Sequence, residues 1–83
     1  PDLLLLDEPT EGLAPAIVER LADDVRAICD QDHAALLLCE QNLWFARRTT
    51  ERIAVIDAGR IVFDDDWAAF DRQSEIARKY LAI

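Results

Sequence analysis

The fold of this chain follows from Leu3-Leu4-Leu5-Leu6-Asp7-Glu8-Pro9-Thr10-Glu11-Gly12-Leu13-Ala14-Pro15. Its four consecutive leucines predict a strand buried on both faces, as in the central strands of parallel sheets. Asp7 and Glu8 follow at the carboxyl end of that strand, which is the edge of an open α/β sheet where ligands bind. Proline and glycine residues then end the strand and turn the chain.

The two adjacent carboxylates are the candidate catalytic groups. In nucleotide hydrolases, one acid at a strand tip holds a magnesium ion, in many cases through water, and a second polarises the water that attacks the γ-phosphate. This Walker B pattern predicts that Asp7 is associated with Mg²⁺ and that Glu8 is the general base or positions the attacking water. The alternative is a solvated pair of loop acids, which the flanking Pro9-Thr10 disfavours.

Composition limits the chain to one small domain without general affinity for nucleic acid. The 83 residues are 52% hydrophobic, and 17 acids against 9 bases give a net charge of −8, which excludes a basic nucleic-acid footprint. No apolar run approaches the ~20 residues that span a bilayer. Because the chain lacks Met and begins in mid-strand at Pro1-Asp2, we expect it to be a piece of a longer protein.

Several residues that could bind metal are better explained structurally. Cys29 and Cys39 lack metal or redox spacing and lie in apolar segments, so we predict buried free thiols, which fit a reducing cytoplasm. His33 lies in a polar connector without a ligand partner at suitable spacing. Asp64–Asp66 lacks the glycine and the alternating ligands of an EF-hand loop, so we expect a solvated turn.

A phosphate-binding loop is missing from this sequence. Such a loop has the form G-x-x-x-x-G-K-[ST]. The only glycines are Gly12 and Gly59, and the only lysine is Lys79, so the motif cannot be formed. The chain carries candidate catalytic carboxylates without the nucleotide cradle that such carboxylates serve.

Apolar periodicity predicts the order β-α-β-α-β-β-α. The first half contains the strand Leu3–Leu6, a helix from Pro15 to about Asp30, a buried strand at Ala34–Cys39 and a short helix at Leu43–Thr49. The long helix should bury a stripe comprising Ile17, Leu21, Val25 and Ile28, and Ala14 is a poor N-cap for it. The short helix should bury Leu43, Trp44 and Ala46.

The second half should form a hairpin followed by helix. We predict a strand at Arg52–Asp57, a tight turn at 57–60, a return strand at Ile61–Phe63 and an acidic break at Asp64–Asp66. One helical turn at Trp67–Phe70 and a last helix follow; Ser74 caps that helix, and its inward side chains are Ile76, Ala77, Tyr80 and Leu81.

A right-handed β-α-β crossover makes the first two strands parallel. Asp7-Glu8 and Glu40-Gln41 should therefore emerge at the same edge of the sheet and form one site.

Taken together, the motifs D-E-P-T, E-G-L-A-P, C-E-Q-N and D-A-G-R-I-V resemble the ATPase subunits of ABC transporters. The form of these motifs is most similar to the branch that energises uptake of branched-chain amino acids, other hydrophobic amino acids, and urea or short amides. The resemblance implies an α/β fold in which residues 1–83 are the C-terminal part of a P-loop NTPase (ABC ATPase) domain. The P-loop, Q-loop and signature motif of that domain are absent from this chain.

The resemblance also implies roles for further residues. Gln41 takes the position of the family's switch histidine; it can donate a hydrogen bond to the γ-phosphate but cannot carry an imidazolium charge or shuttle a proton. The D-loop, which crosses the ATPase dimer interface, corresponds to Glu11, Gly12, Leu13 and Ala14. The family's aspartate is Ala14 here, so that side chain's polar contact is lost.

By the same resemblance, ATP and Mg²⁺ are the cofactors of a cytoplasmic ATPase subunit, peripheral on the inner face of the plasma membrane. Its partners are a second ATPase subunit, membrane permeases and, indirectly, a substrate-binding protein, with no nucleic acid. One alternative is a non-transport ABC-type ATPase that acts on DNA or ribosomes. Another is a truncated interaction fragment, and we expect the isolated chain to be inactive.

Overall fold

The computed structural model describes residues 3–81, which divide into two compact units after Thr50. The first unit contains β1 (Leu3–Asp7), α1 (Pro15–Asp32), β2 (Ala35–Cys39) and α2 (Leu43–Thr49). The second contains β3 (Arg52–Asp57), β4 (Arg60–Asp66), α3 (Trp67–Arg72), α4 (Ser74–Ile76) and a π-helical turn, Ala77–Leu81. The predicted element order is confirmed. The expected mid-strand start at Pro1-Asp2 and the last residues of the family resemblance, 82–83, lie outside the described residues.

The strands β1 and β2 pair in parallel, as the crossover predicts. The register runs from Leu3 opposite Ala35 to Asp7 opposite Cys39. Alternate residues of both strands pack against a core of buried side chains from the two helices. The strand residues are Leu4, Leu6, Leu36 and Leu38, and the helix residues are Val18, Ala22, Val25 and Phe45.

The prediction that the first strand is buried on both faces is wrong for the part of the chain that the structure describes. Leu3 and Leu5 are 50% and 63% exposed, and Leu37 of β2 is 58% exposed. Successive side chains of a strand point to opposite faces, and α1 covers only one face of this two-stranded sheet. The other face is an apolar surface that we call the leucine face, made of Leu3, Leu5 and Leu37.

Helix α1 begins as expected, and its buried face agrees with the prediction in part. Pro15 occupies the first turn, and Ala14 is an N-cap without a side-chain hydrogen bond. Of the predicted residues, Val25 is buried and Leu21 packs against the core, whereas Ile17 and Ile28 are 46% and 44% exposed. The other buried residues of the helix are Val18 and Ala22. Val18 and Ala22 each follow a predicted residue by one position, and one position turns the direction of a side chain by about 100°, because the α-helix has 3.6 residues per turn. The inward stripe is therefore the one that includes small Ala22.

The end of α1 lies two residues beyond the predicted end, at Asp32. His33 closes the helix in the left-handed conformation, with φ 51° and ψ 36°. Its main-chain N–H donates to the carbonyl oxygen of Cys29, and the N–H of Ala34 donates to the same oxygen at 3.1 Å. The single histidine of the chain thus ends a helix.

Helix α2 has the predicted bounds, and Asn42 caps it by accepting the N–H of Phe45 at 3.1 Å. The predicted burial is wrong for Trp44, which is 46% exposed, while Leu43 and Ala46 are half-buried. Phe45 is fully buried, and Thr49 is buried with its hydroxyl donating to the Phe45 carbonyl at 2.8 Å. The capping geometry orients this short helix so that Phe45 joins the core.

The second unit is a hairpin packed against helix. Strands β3 and β4 pair antiparallel through a two-residue turn, Ala58-Gly59, with a bulge opposite Val55/Ile56. The return strand runs to Asp66, so the predicted acidic break at Asp64–Asp66 is wrong: these residues pair with β3. The guanidinium of Arg52 binds the Asp64 carboxylate at 3.1 Å across the ladder. Cross-strand pairing thus outweighs the low strand propensity of aspartate.

An aromatic group forms the core of this second unit. Trp67 and Phe70 of α3 are buried with Val55, and their rings meet edge to face at 5.6 Å, while Phe63 meets Phe70 at 5.8 Å. Asp66 caps α3 by accepting the N–H of Ala69 at 2.8 Å. The predicted cap Ser74 is instead the first residue of α4, and Gln73 precedes it without a side-chain bond. The predicted inward residues of the last helix are half-buried: Ile76, Ala77, Tyr80 and Leu81.

Both cysteines are free thiols, but the predicted burial of Cys39 is wrong. Cys29 is half-buried against the core of the first unit, whereas Cys39 lies on the exposed side of β2. Among residues 3–81, no helix is long and apolar enough to cross a membrane.

Candidate functional site

Polar residues meet where the two parallel strands end. Asp7 is paired with Cys39 in register, and the N–H of Glu8 donates to the Cys39 carbonyl at 2.7 Å, which extends the ladder by one residue. Glu40 and Gln41 follow directly after that carbonyl. The predicted meeting of Asp7-Glu8 with Glu40-Gln41 at one edge of the sheet is confirmed. We call this group the acidic edge: Asp7, Glu8, Glu11, Glu40 and Gln41.

Glu8 adopts an unusual backbone conformation at this edge. Its φ is 48°, in the left-handed region that residues with a Cβ avoid. Such conformations cost about 1–3 kcal/mol and persist only where the surrounding structure enforces them. Here the bond from Glu8 to Cys39 and the bond from the N–H of Glu11 to the Glu8 carbonyl, at 3.2 Å, hold the residue in place. The side chain of Glu8 is half-buried, and that of Asp7 is exposed.

The local environment raises the pKa of Glu8 above its ordinary value of 4.5. The main cause is partial removal of its carboxyl group from water, which penalises the charged form. The charges of Glu40, Glu11 and Asp7 and a side-chain hydrogen bond with Glu40 act in the same direction. A carboxyl group with a raised pKa accepts a proton more readily at neutral pH, which suits a general base.

The loop after Glu8 is built from two overlapping turns. The N–H of Glu11 bonds to Glu8, and the N–H of Leu13 bonds to the Thr10 carbonyl at 3.1 Å. Gly12 has φ 78°, a conformation that glycine adopts without strain. Thr10 is buried, while the four predicted D-loop residues 11–14 are all exposed. The loop is thus anchored at Thr10 and presents its remaining residues to the surroundings.

Glu40 is a residue of the acidic edge that sequence reasoning gave no role. Its Oε1 accepts the N–H of Gln41 and the N–H of Asn42, each at 3.1 Å. Its Oε2 accepts the N–H of Thr10 at 3.3 Å, thirty residues away along the chain. The sequence did offer one signal for this role: Glu40 lies between the end of a strand and the N-cap Asn42. Main-chain N–H groups at the start of a helix lack intrahelical partners, so a carboxylate there can accept them.

Gln41 lies in the bend between β2 and α2, and its side chain is exposed. The Glu40 carboxylate fixes its main chain through the Gln41 N–H. The structure therefore brings Gln41 to the same edge as Asp7 and Glu8, as predicted.

The carboxylate oxygens of the acidic edge suit a magnesium ion whose remaining ligands are water or phosphate oxygens. Mg²⁺ takes oxygen ligands and commonly uses one or two carboxylates together with water and substrate phosphate. Asp7 is an exposed carboxylate of this kind. Across residues 3–81, no group of three or more acidic, His or Cys side chains could hold a metal by itself. Asp7 therefore fits a shared magnesium site, and a metal cage made by this chain alone is not present in the described part.

A triphosphate does not fit the acidic edge alone. Its titratable side chains are the carboxylates of Asp7, Glu8, Glu11 and Glu40, and the first basic residue in the sequence is Arg20. Such an edge repels a polyphosphate unless cations and main-chain N–H groups are supplied from elsewhere. The described residues of the acidic edge supply carboxylates and an amide but no cationic side chain for a phosphate.

Comparison with known proteins agrees with the motifs. No family model matches the chain. It is 36% identical, over 81 residues, to the High-affinity branched-chain amino acid transport ATP-binding protein BraG of Pseudomonas aeruginosa, covering 98% of this chain and 34% of that protein. It is 48% identical, over 62 residues, to the Daunorubicin/doxorubicin resistance ATP-binding protein DrrA of Streptomyces peucetius, covering 75% of this chain and 18% of that protein.

A third relative is the Phosphonates import ATP-binding protein PhnC 3 of Nostoc sp., 36% identical over 80 residues, which cover 96% of this chain and 30% of that protein. The relatives are ATP-binding subunits of ABC transporters. The α/β architecture, with one parallel and one antiparallel strand pair, is compatible with the C-terminal part of an ABC ATPase domain. The chain spans about a third or less of the length of these ABC relatives.

Proposed function

We propose that residues 1–83 are the C-terminal portion of one ABC ATPase nucleotide-binding domain, carrying the Walker B, D-loop and switch segments. The intact subunit binds and hydrolyses ATP to drive an importer for branched-chain amino acids or for urea and short amides. The observation that carries the proposal is the parallel register, which brings Asp7-Glu8 and Gln41 to one edge. The kinship with transporter ATP-binding subunits supports it.

The residues of the acidic edge take distinct parts in this proposal. The exposed carboxylate of Asp7 would hold Mg²⁺ through a water molecule, since Mg²⁺ in such sites keeps several of its waters. Glu8 positions the attacking water or accepts its proton, and its raised pKa supports that role. Gln41 donates a hydrogen bond from its amide to the γ-phosphate. MgATP supplies the transferable phosphoryl group, and its cradle comes from a P-loop outside this chain.

The partners follow from the exposed loop and from the missing half-site. Glu11, Gly12, Leu13 and Ala14 form the surface that meets a second ATPase subunit, identical or paralogous, across the dimer interface. The subunit lies on the cytoplasmic face of the plasma membrane and moves integral permease subunits, to which a substrate-binding protein delivers cargo. No nucleic acid takes part, and the net charge of −8 supports that exclusion.

The proposed assignment to this transporter branch is supported by the motifs E-G-L-A-P and C-E-Q-N and by the similarity to BraG over 98% of the chain. Other relatives are named for phosphonate import and for daunorubicin/doxorubicin resistance, so likeness alone does not select a cargo. ATP turnover of the subunit reconstituted with its permeases and binding protein, compared with leucine, urea and phosphonate as cargo, separates these classes. Stimulation by phosphonate alone would contradict the proposed branch.

The ATPase role is tested by Glu8→Gln in the full-length protein. Gln keeps the size and an acceptor oxygen but cannot take the proton, so we expect loss of turnover and accumulation of an ATP-bound dimer. Phosphate release measures the first effect, and size-exclusion chromatography with ATP measures the second. Glu75→Gln, an exposed residue of α4, removes the same charge and should leave both unchanged. Near-normal ATPase activity in Glu8→Gln contradicts the assignment.

The isolated 83-residue chain should not hydrolyse ATP, because the sequence contains no phosphate-binding loop. Phosphate release by the purified chain with and without Mg²⁺ is the measurement. Magnesium-dependent hydrolysis by this chain alone would overturn the proposal that it supplies only the carboxylate half of the site.

A further inference from the structure

We propose that Glu40 is a positioning residue that ties the loop after β1 to the segment carrying Gln41 and so keeps Glu8 and Gln41 in one arrangement. The proposal concerns main-chain geometry, since three backbone N–H groups donate to its carboxylate, in addition to the side-chain hydrogen bond that it shares with Glu8. Its consequence for turnover rests on the proposed ATPase function, whereas its structural part does not.

The two oxygens of Glu40 hold different segments. Oε1 accepts from Gln41 and Asn42, which shapes the bend at the start of α2. Oε2 accepts from Thr10, which is buried and begins the second turn of the loop after β1. Hydrogen bonds to an ionised carboxylate are roughly twice as strong as those between neutral groups. One side chain thus fixes both loops of the acidic edge.

A purely local capping role would not need the bond to Thr10. The N–H of Phe45, which needs an acceptor at the start of α2, already has the Asn42 Oδ1 at 3.1 Å. The bond from Thr10 joins two loops that are separated by α1 and β2. This link lies two residues after Glu8, whose left-handed conformation must be enforced by its surroundings.

Chemistry at this edge depends on where Glu8 and Gln41 stand relative to each other. A misplacement of about 1 Å can cost 10²-fold in rate, because the reacting groups must be held in a near-attack geometry. Without Glu40, the strand ladder still holds the N–H of Glu8 on Cys39, but the bond from Thr10 to the Gln41 bend and the side-chain bond to Glu8 are both lost. The loss should therefore appear in kcat and much less in the KM for ATP.

Amide hydrogen exchange in the full-length protein tests the structural part. In Glu40→Ala, we expect the amides of Thr10, Gln41 and Asn42 to exchange at least tenfold faster, while the amide of Val25 in α1 stays within twofold. In Glu40→Gln, one acceptor oxygen remains, so either Thr10 or the Gln41-Asn42 pair keeps its protection, but not both. The control Glu75→Ala removes an exposed charge and should change none of these amides. Unchanged protection at Thr10 and Asn42 in Glu40→Ala overturns the proposal.

Steady-state ATP hydrolysis by the same proteins tests the positioning role. We expect kcat to fall at least tenfold in Glu40→Ala, with KM for ATP within threefold, and a smaller loss in Glu40→Gln, which also serves if the alanine variant does not fold. Faster exchange with unchanged kcat overturns the positioning role. Absence of ATPase activity in the unsubstituted protein refutes the proposed function instead, and the exchange result then still decides whether Glu40 ties the loops.

Discussion

The main-chain N–H of Glu8 donates to the carbonyl oxygen of Cys39 at 2.7 Å, one residue beyond the last strand pair, Asp7 with Cys39. This bond extends the hydrogen-bond ladder to a residue in the left-handed conformation, with φ 48°. It also brings the Glu8 carboxyl group among those of Asp7, Glu11 and Glu40, whose charges raise its pKa after the main effect of partial burial. The ionised form of Glu8 is therefore disfavoured in the folded chain at neutral pH.

Glu8→Gln should raise the thermal midpoint of the full-length protein at pH 7, in the absence of Mg²⁺ and nucleotide. Because the pKa of Glu8 is raised in the folded state, its contribution to stability is fully present below the ordinary value of 4.5 and is lost as the pH rises through the raised value. The gain from Gln should thus shrink between pH 7 and pH 4. Circular dichroism melts at both pH values measure it, and an equal gain at the two would contradict the assigned cause.

Phe45→Ala should lower the free energy of unfolding by about 3–5 kcal/mol, since it removes a fully buried ring from the core of the first unit. The neighbouring Trp44→Ala is the matched control. Trp44 is 46% exposed, and its ring lies 5.6 Å from the Arg48 guanidinium, a contact of about 0.5–1 kcal/mol. Urea denaturation compares the two variants, and equal losses would mean that α2 presents a different face to α1.

His33→Gly should stabilise the first unit by about 1 kcal/mol. His33 closes α1 at φ 51°, where a residue with a Cβ pays roughly 1–2 kcal/mol that glycine avoids. The control Asp24→Gly places glycine inside the same helix at an exposed position and should cost about 1 kcal/mol. Opposite signs for the two glycines in urea denaturation are the expected result. Loss of stability in both would disprove the helix-ending role of His33.

Ala58→Asn should stabilise the hairpin of the second unit by up to about 1 kcal/mol. The turn residues Ala58 and Gly59 have φ 50° and 76°, the pattern of a type I′ turn, for which Asn-Gly is strongly preferred. Gly59→Ala is the counterpart: a Cβ there meets nothing within 4 Å, so its expected cost of about 1–2 kcal/mol is conformational alone. Thermal melts of the 83-residue chain followed by tryptophan fluorescence in a Trp44→Phe background, in which Trp67 is the remaining tryptophan, report on this unit. A destabilising effect of Ala58→Asn would refute the turn type.

Strong local signals made several elements predictable from sequence. The predicted bounds of α2 and β3 are those of the structure. Asn42 caps the start of α2, and a tight turn ends β3, and both are visible in the sequence. The face of α1 was not predictable in the same way. Two stripes share Val25 and have helical spacing, one with isoleucines and one with Val18 and Ala22. Sequence spacing alone does not distinguish them, because the choice depends on which side chains meet the two strands and Phe45.

The candidate site was predictable to the extent that strand direction determines it. Parallel pairing alone places Asp7-Glu8 and Gln41 at one edge, and a crossover helix requires that pairing. The role of Glu40 was not predictable, because its bond to Thr10 depends on the three-dimensional course of two loops. The exposure of the Cys39 side chain was likewise not predictable, because it depends on whether another element packs on that face of the sheet.

The leucine face has a consequence for handling the chain in solution. Apolar side chains at 50–63% exposure on a short parallel sheet favour face-to-face association, while the net charge of −8 opposes it by long-range repulsion. Dissolved salt shortens the range of that repulsion and leaves the hydrophobic attraction in place. We therefore expect ionic strength to govern the solubility of the 83-residue chain, with association increasing as the salt concentration rises.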